Sequence, residues 1–269
     1  MDNLAKLENQ CYSFTAVLQN KKPLKASFAG CSQKDRKTFP QSSCILPISI
    51  MQKKEHEGER FEATIRLVNK SFEFCSLLIV DSLYRYTLKI DYFCQTETAL
   101  LNLANQAGED WLDRNATAYK QLTIPYRIIR WNECLSRPDF LESQQKIDEL
   151  YNTNDYFKKS IDFTAEEYLS RQINNFSKPE QEILKGAQSE EDINRRLKNI
   201  NYEHAFSCCV NYLKEECAAM CLYSKPPFKN HEFEVYPTGR TKALAAIYEI
   251  LIKPHYPELL KPVAIRFKR

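Results

Sequence analysis

The chain has 269 residues, of which 43% are hydrophobic and 27% are charged, with a formal net charge of +3. This hydrophobic fraction can fill a core and excludes a mainly disordered chain. No apolar run is long enough to cross a membrane and no export signal is evident, so we expect no membrane association. The ten cysteines contain no C-x-x-C pair, which favours buried free thiols and a cytoplasmic location.

The first half of the chain predicts two buried strands joined by a helix. Residues 1–40 form an N-terminal extension whose structure the pattern leaves open, apart from a short strand near 25–28. The apolar runs 44–50 and 74–80 are typical of buried parallel strands. Apolar residues at helical spacing over 61–72 predict the helix between them, which completes a right-handed βαβ unit.

The middle of the chain predicts a long helix over 96–122, a third strand over 125–131 and charge-rich helices over 132–200. Within the last region, residues 164–167 (TAEE) match a capping box, which predicts that a helix begins there.

The last part of the chain predicts a helix over 211–223, a break at 224–227 and a strand over 232–236. An apolar helix over 243–251 and a closing strand over 263–267 follow. Alternating helices and buried strands predict a Rossmann-like α/β fold, doubly wound around a mostly parallel sheet with helices on both faces. We expect a single domain over residues 1–269.

Polar residues at strand ends are the first candidates for a site, because open α/β sheets bind ligands beyond the carboxyl ends of their strands. Ser49 ends the first strand and a polar loop follows it, so its hydroxyl could act as a nucleophile. A serine that bonds its own loop backbone is the commoner arrangement. None of the four histidines has an evident tie to Ser49, and no G-x-S-x-G motif is present, which disfavours a serine hydrolase.

Tyr212 and Glu216 stand four residues apart on one face of the predicted helix, beside its buried stripe. A partly desolvated carboxylate in this position is suited to act as a base. The alternative is a Tyr–Glu pair on the helix surface. The apolar stripe itself consists of Val210, Leu213, Cys217 and Met220.

Five residues in order resemble the tRNA-dependent cyclodipeptide synthases: Ser49, Tyr212, Glu216, Tyr236 and Pro237. Similar blocks are EGERFEATIRLVNKSFEFCSLLIVDSLYRY, GEDWLDRN, IIRWNECL, YLKEECAAMC and FEVYPTGR, so the resemblance extends over about residues 44–249. Tyr236-Pro237 is similar to the XYP subgroup of that family. The sequence departs from the other subgroup at Gln52, which replaces an Asn.

The resemblance implies a fold similar to the catalytic domain of class I aminoacyl-tRNA synthetases, with two aminoacyl-tRNAs consumed per cyclic dipeptide. Ser49 would carry the aminoacyl and dipeptidyl esters, while Glu216 and Tyr212 would hold the α-ammonium group. Tyr236 would relay a proton or stabilise an oxyanion, and Gln52 and Pro237 would contact the substrate. Neither a cofactor nor a metal is expected, and the protein is expected to be a monomer.

The backbone of tRNA calls for cationic side chains on the protein surface. Arg114 and Lys120, on the helix before the third strand, are the first candidates. The alternatives are clusters at 195–198 and 266–269. Two other functions remain open at this point, namely a non-catalytic α/β protein that binds tRNA or another ligand, and a serine hydrolase or acyltransferase.

Overall fold

A computed structural model describes residues 23–51, 53–91, 95–176, 201–223, 231–237 and 239–269. In these ranges the strands form a single sheet of order β1-β6-β5-β2-β3-β4. The pairing of β1 with β6 is antiparallel, and the remaining pairings are parallel. The strands are β1 Lys25–Ala29, β2 Ser43–Ser49, β3 Phe74–Val80, β4 Tyr126–Arg130, β5 Phe233–Tyr236 and β6 Lys261–Lys268.

Helices cover both faces of the sheet, so the predicted doubly wound α/β fold is confirmed. In the described part of the chain, no helix is long and apolar enough to cross a membrane. The helices are α1 Gln33–Thr38, α2 Lys53–His56, α3 Gly58–Asn69, α4 Tyr84–Asp91, α5 Glu97–Tyr119, α6 Trp131–Leu135, α7 Phe140–Thr153, α8 Asp155–Phe176, α9 Tyr202–Met220 and α10 Lys242–Ile247, with a 3-10 turn at Phe39–Gln41 and a π-helical turn at Tyr248–Ile252.

Two apolar layers hold these helices against the sheet. On one face α3 and α5 pack through Phe61 and Trp111, whose ring centroids are 5.2 Å apart. On the other face α7, α8, α9 and α10 share a core that includes the fully buried Phe157. Because both faces are covered, β2 and β3 need apolar side chains in both directions, which explains their continuous apolar runs.

The strand order places a topological switch point between β2 and β5. From β2 the chain proceeds outward to β3 and β4, and it then returns to the other side of β2 to form β5 and β6. The loops that follow β2 and β5 therefore diverge and leave a crevice at the carboxyl edge of the sheet, where ligands of such folds bind.

Two predicted boundaries were wrong. Thr164 does not begin a helix, because it lies inside α8 and its hydroxyl donates to the carbonyl oxygen of Ser160, one turn earlier, at 2.7 Å. The helix that carries Glu216 begins at Tyr202, where Asn201 caps it by accepting from the backbone N–H of His204 at 3.0 Å. The predicted break at 224–227 lies outside the described residues.

Candidate active site

A cavity of about 670 Å³ opens at the carboxyl ends of β2 and β5. Helices α8 and α9 and the segment that leads into α10 form its walls. Five of the predicted site residues line this one cavity: Ser49, Tyr212, Glu216, Tyr236 and Pro237.

Ser49 is the last residue of β2 and is half-buried. Its carbonyl oxygen lies 3.1 Å from Nδ1 of His56, which is buried at the end of α2. Because a carbonyl can only accept, the Nδ1 atom carries the proton. Burial lowers the pKa of His56 to about 4, so the ring is neutral at physiological pH. His56 thus contacts the main chain of Ser49, and its Nδ1 proton is not directed at the hydroxyl.

Tyr212 packs its ring on Tyr168 of α8, with the ring centroids 5.1 Å apart and the planes 25° from parallel. Both rings lie on the wall of the cavity. Burial, followed by the nearby Glu216 carboxylate, raises the pKa of Tyr212 well above its usual value, so the phenol stays protonated. The stack fixes the side of α9 that faces the cavity.

Glu216 is half-buried, and its pKa is raised to about 8, first by burial and then by the nearby carboxylate of Glu234 on β5. Within the described ranges the Glu216 carboxylate has no hydrogen-bond partner and no cationic one. A carboxylate that is desolvated without compensation is ready to receive a positively charged group from a ligand.

The neighbouring Glu215 points the other way and anchors α9. Its carboxylate accepts from Arg85 Nη1 at 2.9 Å, from the Tyr86 hydroxyl at 3.0 Å and from the indole nitrogen of Trp131 at 2.9 Å. These donors come from α4 and from the start of α6. The anchor sets the rotation of α9, and it thereby directs Glu216 toward the cavity.

Tyr236, at the end of β5, donates its hydroxyl to Oε1 of Glu234. Arg240 donates to the other oxygen of Glu234, with Nε at 2.9 Å. Glu234 is fully buried, and the Arg240 side chain is 5% exposed. Burial raises the pKa of Tyr236 well above its usual value, and the charge of Glu234 adds to this.

Sequence reasoning missed the wall formed by α8, because residues 164–167 were interpreted as a helix start and the other residues there carry no catalytic motif. Phe163 is 39% exposed, and the ammonium of Lys242 lies 3.2 Å above its ring centroid. Arg171 stacks over Tyr168 at 5.6 Å from the ring centroid. Phe163 and Arg171 both line the cavity.

Arg114 and Lys120 do not line the cavity. Arg114 lies on α5, which covers the opposite face of the sheet, and its guanidinium is 3.2 Å from Glu57. Lys120 is the exposed residue that follows the last turn of the same helix. Gln52 lies outside the described residues.

No family model matches the chain and no curated protein does, but solved structures match it closely. A cyclodipeptide synthase from Fluoribacter dumoffii is 41% identical, with a TM-score of 0.79, and the match covers 91% of this chain and 99% of that one. A cyclodipeptide synthase from Candidatus Glomeribacter gigasporarum, solved bound to Phe-tRNA, is 21% identical, with a TM-score of 0.63 over 84% of this chain and 88% of that one.

A Mycobacterium tuberculosis protein has the same fold at 9% identity, with a TM-score of 0.55 over 92% of this chain and 94% of that one. Its structure is described as demonstrating that cyclodipeptide synthetases are related to type I tRNA synthetases.

Proposed function

Because this chain belongs to the cyclodipeptide synthase family, we propose that it joins two aminoacyl groups, taken from aminoacyl-tRNAs, into a cyclic dipeptide. One observation carries the proposal most directly. The Glu216 carboxylate has no hydrogen-bond or cationic partner among the described residues, and it shares a cavity with a serine that ends a strand. An anchor for an ammonium group thus accompanies a candidate nucleophile. The relative solved with Phe-tRNA supports aminoacyl-tRNA as the substrate class.

In the first stage, the hydroxyl oxygen of Ser49 attacks the ester carbonyl of an aminoacyl-tRNA. The bond to the ribose oxygen breaks, and the tRNA leaves with the proton of the serine. Exchange of one ester for another is close to isoenergetic, so correct positioning supplies most of the catalysis. Glu216 and Tyr212 hold the α-ammonium group, and the ion pair returns the pKa of Glu216 toward its ordinary range.

In the second stage, the ammonium group bound at Glu216 loses a proton and the resulting amine attacks the ester of a second aminoacyl-tRNA. A peptide bond forms, the second tRNA leaves, and a dipeptidyl ester remains on Ser49. The free amino group of that dipeptide then attacks the Ser49 ester, closes the ring and restores the serine hydroxyl. Tyr236 faces these amino groups and takes part in their proton transfers.

The finer assignments belong to the same proposal. Pro237, next to Tyr236, supports the XYP subgroup and a substrate contact, and Gln52 is assigned to the substrate as well. The protein is proposed to act as a monomer in the cytoplasm and to hold tRNA through Arg114 and Lys120. It is proposed to consume two aminoacyl-tRNAs per product and to need neither a cofactor nor a metal.

Labelling with aminoacyl-tRNA tests the function. The wild type, incubated with tRNA that carries a radioactive amino acid, should retain label after denaturation, because an ester joins the label to Ser49. Ser49→Ala should retain none, and Ser49→Cys, which keeps a nucleophile, should retain some. Label of wild-type intensity on Ser49→Ala would contradict the assignment.

The same experiment separates the alternatives when its products are examined by mass spectrometry. A cyclic dipeptide supports the synthase, and release of the free amino acid alone would indicate a hydrolase. Binding of aminoacyl-tRNA without label or product would indicate a protein that has kept the fold without the chemistry. His56 disfavours the hydrolase, because it contacts the main-chain carbonyl of Ser49, and its Nε2 atom has no hydrogen-bond partner among the described residues.

A further inference from the structure

A buried ion pair of Glu234 and Arg240 lies at the wall of the cavity, which Arg240 lines. Glu234 stands in the middle of β5, two residues before Tyr236, so both side chains point to the same face of the sheet. Arg240 completes the pair and also donates to the carbonyl oxygen of Leu260. Its guanidinium stacks on Tyr248, with the carbon centre 4.2 Å from the ring centroid. Both partners are therefore fixed in place from several sides.

Stability does not explain this pair well. Replacing a buried ion pair with apolar side chains of similar volume is often neutral or stabilising, because desolvation offsets the attraction. The neighbours Phe233 and Val235 show that β5 otherwise carries core residues. A carboxylate at position 234 therefore calls for an explanation other than stability. Its hydrogen bonds suggest that it orients side chains, because one oxygen accepts from Tyr236 and the other from Arg240.

The hydrogen bond to Glu234 fixes what Tyr236 can offer a substrate. A phenol has one proton, and Tyr236 donates it to Glu234. The oxygen then has only lone pairs left for the cavity. Such an oxygen can accept from an ammonium or amine N–H group, but it cannot donate to an oxyanion while the bond to Glu234 holds.

Glu234 also affects the electrostatic environment of Glu216. It is the carboxylate whose charge adds to burial in raising the pKa of Glu216. Arg240 compensates part of that charge, because it pairs with Glu234 through two nitrogen atoms. Among the described residues, further titratable groups near Tyr236 and Glu216 include Tyr168, Arg171, Tyr212, Glu215, Cys217, Tyr223 and Tyr248. The cavity wall adds His56, Glu166 and Glu167.

The geometry points to Glu234 and Arg240 as positioning residues of the synthase site: Glu234 holds the Tyr236 hydroxyl so that its lone pairs face the amino group anchored at Glu216. This inference rests on the proposed function. It assigns Tyr236 to the amine rather than to an oxyanion. It also gives a role to two residues that lie in the similar block FEVYPTGR but had none from the family resemblance. Neither residue is proposed to touch the reacting atoms.

A double-mutant cycle tests whether Glu234 acts through Tyr236. Each of the four proteins in the cycle is first acylated on Ser49. The rate at which the isolated acyl-enzyme reacts with a second aminoacyl-tRNA is then measured. Tyr236→Phe should slow formation of the cyclic dipeptide by at least about tenfold. In a Glu234→Gln background the same change should cost less than about threefold, because the amide has only one acceptor oxygen and the charged Arg240 takes it, so the Tyr236 proton loses its acceptor. Equal factors in both backgrounds would overturn the inference.

The pH profile supplies a readout that a merely structural role would not change. If Glu216 must be ionised to bind the ammonium, the acidic limb of kcat/KM for acylation reports its pKa. Removing the charge with Glu234→Gln should move that limb to lower pH by about one unit. An unmoved limb, with the rate reduced equally at every pH, would mean that Glu234 serves folding alone and would overturn the inference.

Two further variants guard against a loss of folding. Glu234→Gln leaves a buried guanidinium without its anion, so the double variant Glu234→Leu/Arg240→Met, which removes both charges and the acceptor, is measured beside it. Both should lose the coupling with Tyr236. Glu249→Gln is the matched control, since it removes one partner of an exposed pair with Lys253 and should change neither the rate nor the limb. If the wild type acquires no label at Ser49, the proposed function fails; if label appears without coupling, only this inference fails.

Discussion

Glu216 is a carboxylate with a raised pKa, and this has a measurable consequence for the free protein. Folding moves the group from a pKa of 4.5 to about 8. Between these values the folded state holds a proton that the unfolded state has released. The contribution of Glu216 to stability is therefore fully present below about pH 4.5 and is lost as the pH rises toward about 8.

Glu216→Gln should remove this dependence. Relative to the wild type, the variant should gain free energy of unfolding between pH 5 and pH 8, by roughly 1–2 kcal/mol once solvent screening of a half-buried group is allowed for. Denaturant unfolding at several pH values measures the difference. A Glu216→Gln curve parallel to that of the wild type would contradict the raised pKa.

The fold requires glycine at position 108 because Asp81 and Arg130 approach its Cα closely, and not because of its backbone dihedral angles. A Cβ atom there would lie 2.4 Å from a carboxylate oxygen of the buried Asp81 and 2.8 Å from Nη2 of Arg130. Asp81 pairs with Arg130, which also donates to the carbonyl oxygen of Asn105 at 3.0 Å. Helix α5 can thus lie this close to the ends of β3 and β4 only because residue 108 has no side chain.

Gly108→Ala should therefore destabilise the fold, although alanine favours a helix by about 1 kcal/mol over glycine. Overpacking against a fixed ion pair should outweigh this gain and leave a net loss of about 1–3 kcal/mol. Urea unfolding measures the loss. Gln106→Ala, on the exposed side of the same helix, should change stability by less than about 0.5 kcal/mol, and a stabilised Gly108→Ala variant would show that the approach relaxes freely.

At the scale of whole elements, the sequence predicted correctly those strands and helices whose conformation and burial are determined by their own side-chain pattern. The strands β2 and β3 are buried on both faces, so their continuous apolar runs were sufficient evidence. Thr164 misled because the capping-box pattern is local, whereas its hydroxyl bonds backward within a longer helix. The start of α9 was placed nine residues late, at 211 instead of 202, because the cap at Asn201 lies beyond the apolar stripe that was recognised.

The candidate site divides in the same way. The pattern of Ser49, Tyr212, Glu216 and Tyr236 was visible in the sequence, and the structure brings these residues to one cavity. Glu234 could have been found from its spacing of two residues before Tyr236 on a strand. His56 could not, because its tie to Ser49 depends on how the chain turns back after β2.

At the scale of the whole molecule, binding of tRNA should depend on local clusters of charge, since the net charge is only +3. If Arg114 and Lys120 contact phosphates, Arg114→Ala/Lys120→Ala should weaken binding and reduce the magnitude of the slope of log K against log salt by about two. Labelling of Ser49 at saturating aminoacyl-tRNA should persist. Filter binding at several salt concentrations measures the slope.

Arg266→Ala/Lys268→Ala, on the edge-proximal strand β6, is the matched comparison. This double variant removes the same amount of charge from a different part of the protein surface, and it should leave the slope of log K against log salt unchanged. A reduced slope in this pair and not in the first would transfer the tRNA contact to the C-terminal cluster.

The order of the strands also bears on how the protein is made. During synthesis β2, β3 and β4 can pair as they emerge, but β2 keeps one open edge until β5 is complete, and β6 must then enter between β5 and β1. A nascent chain therefore displays its serine well before it has Glu216 or Tyr236. An interrupted translation product would carry a nucleophile without an amine anchor, and it could not consume the aminoacyl-tRNA on which its own synthesis depends.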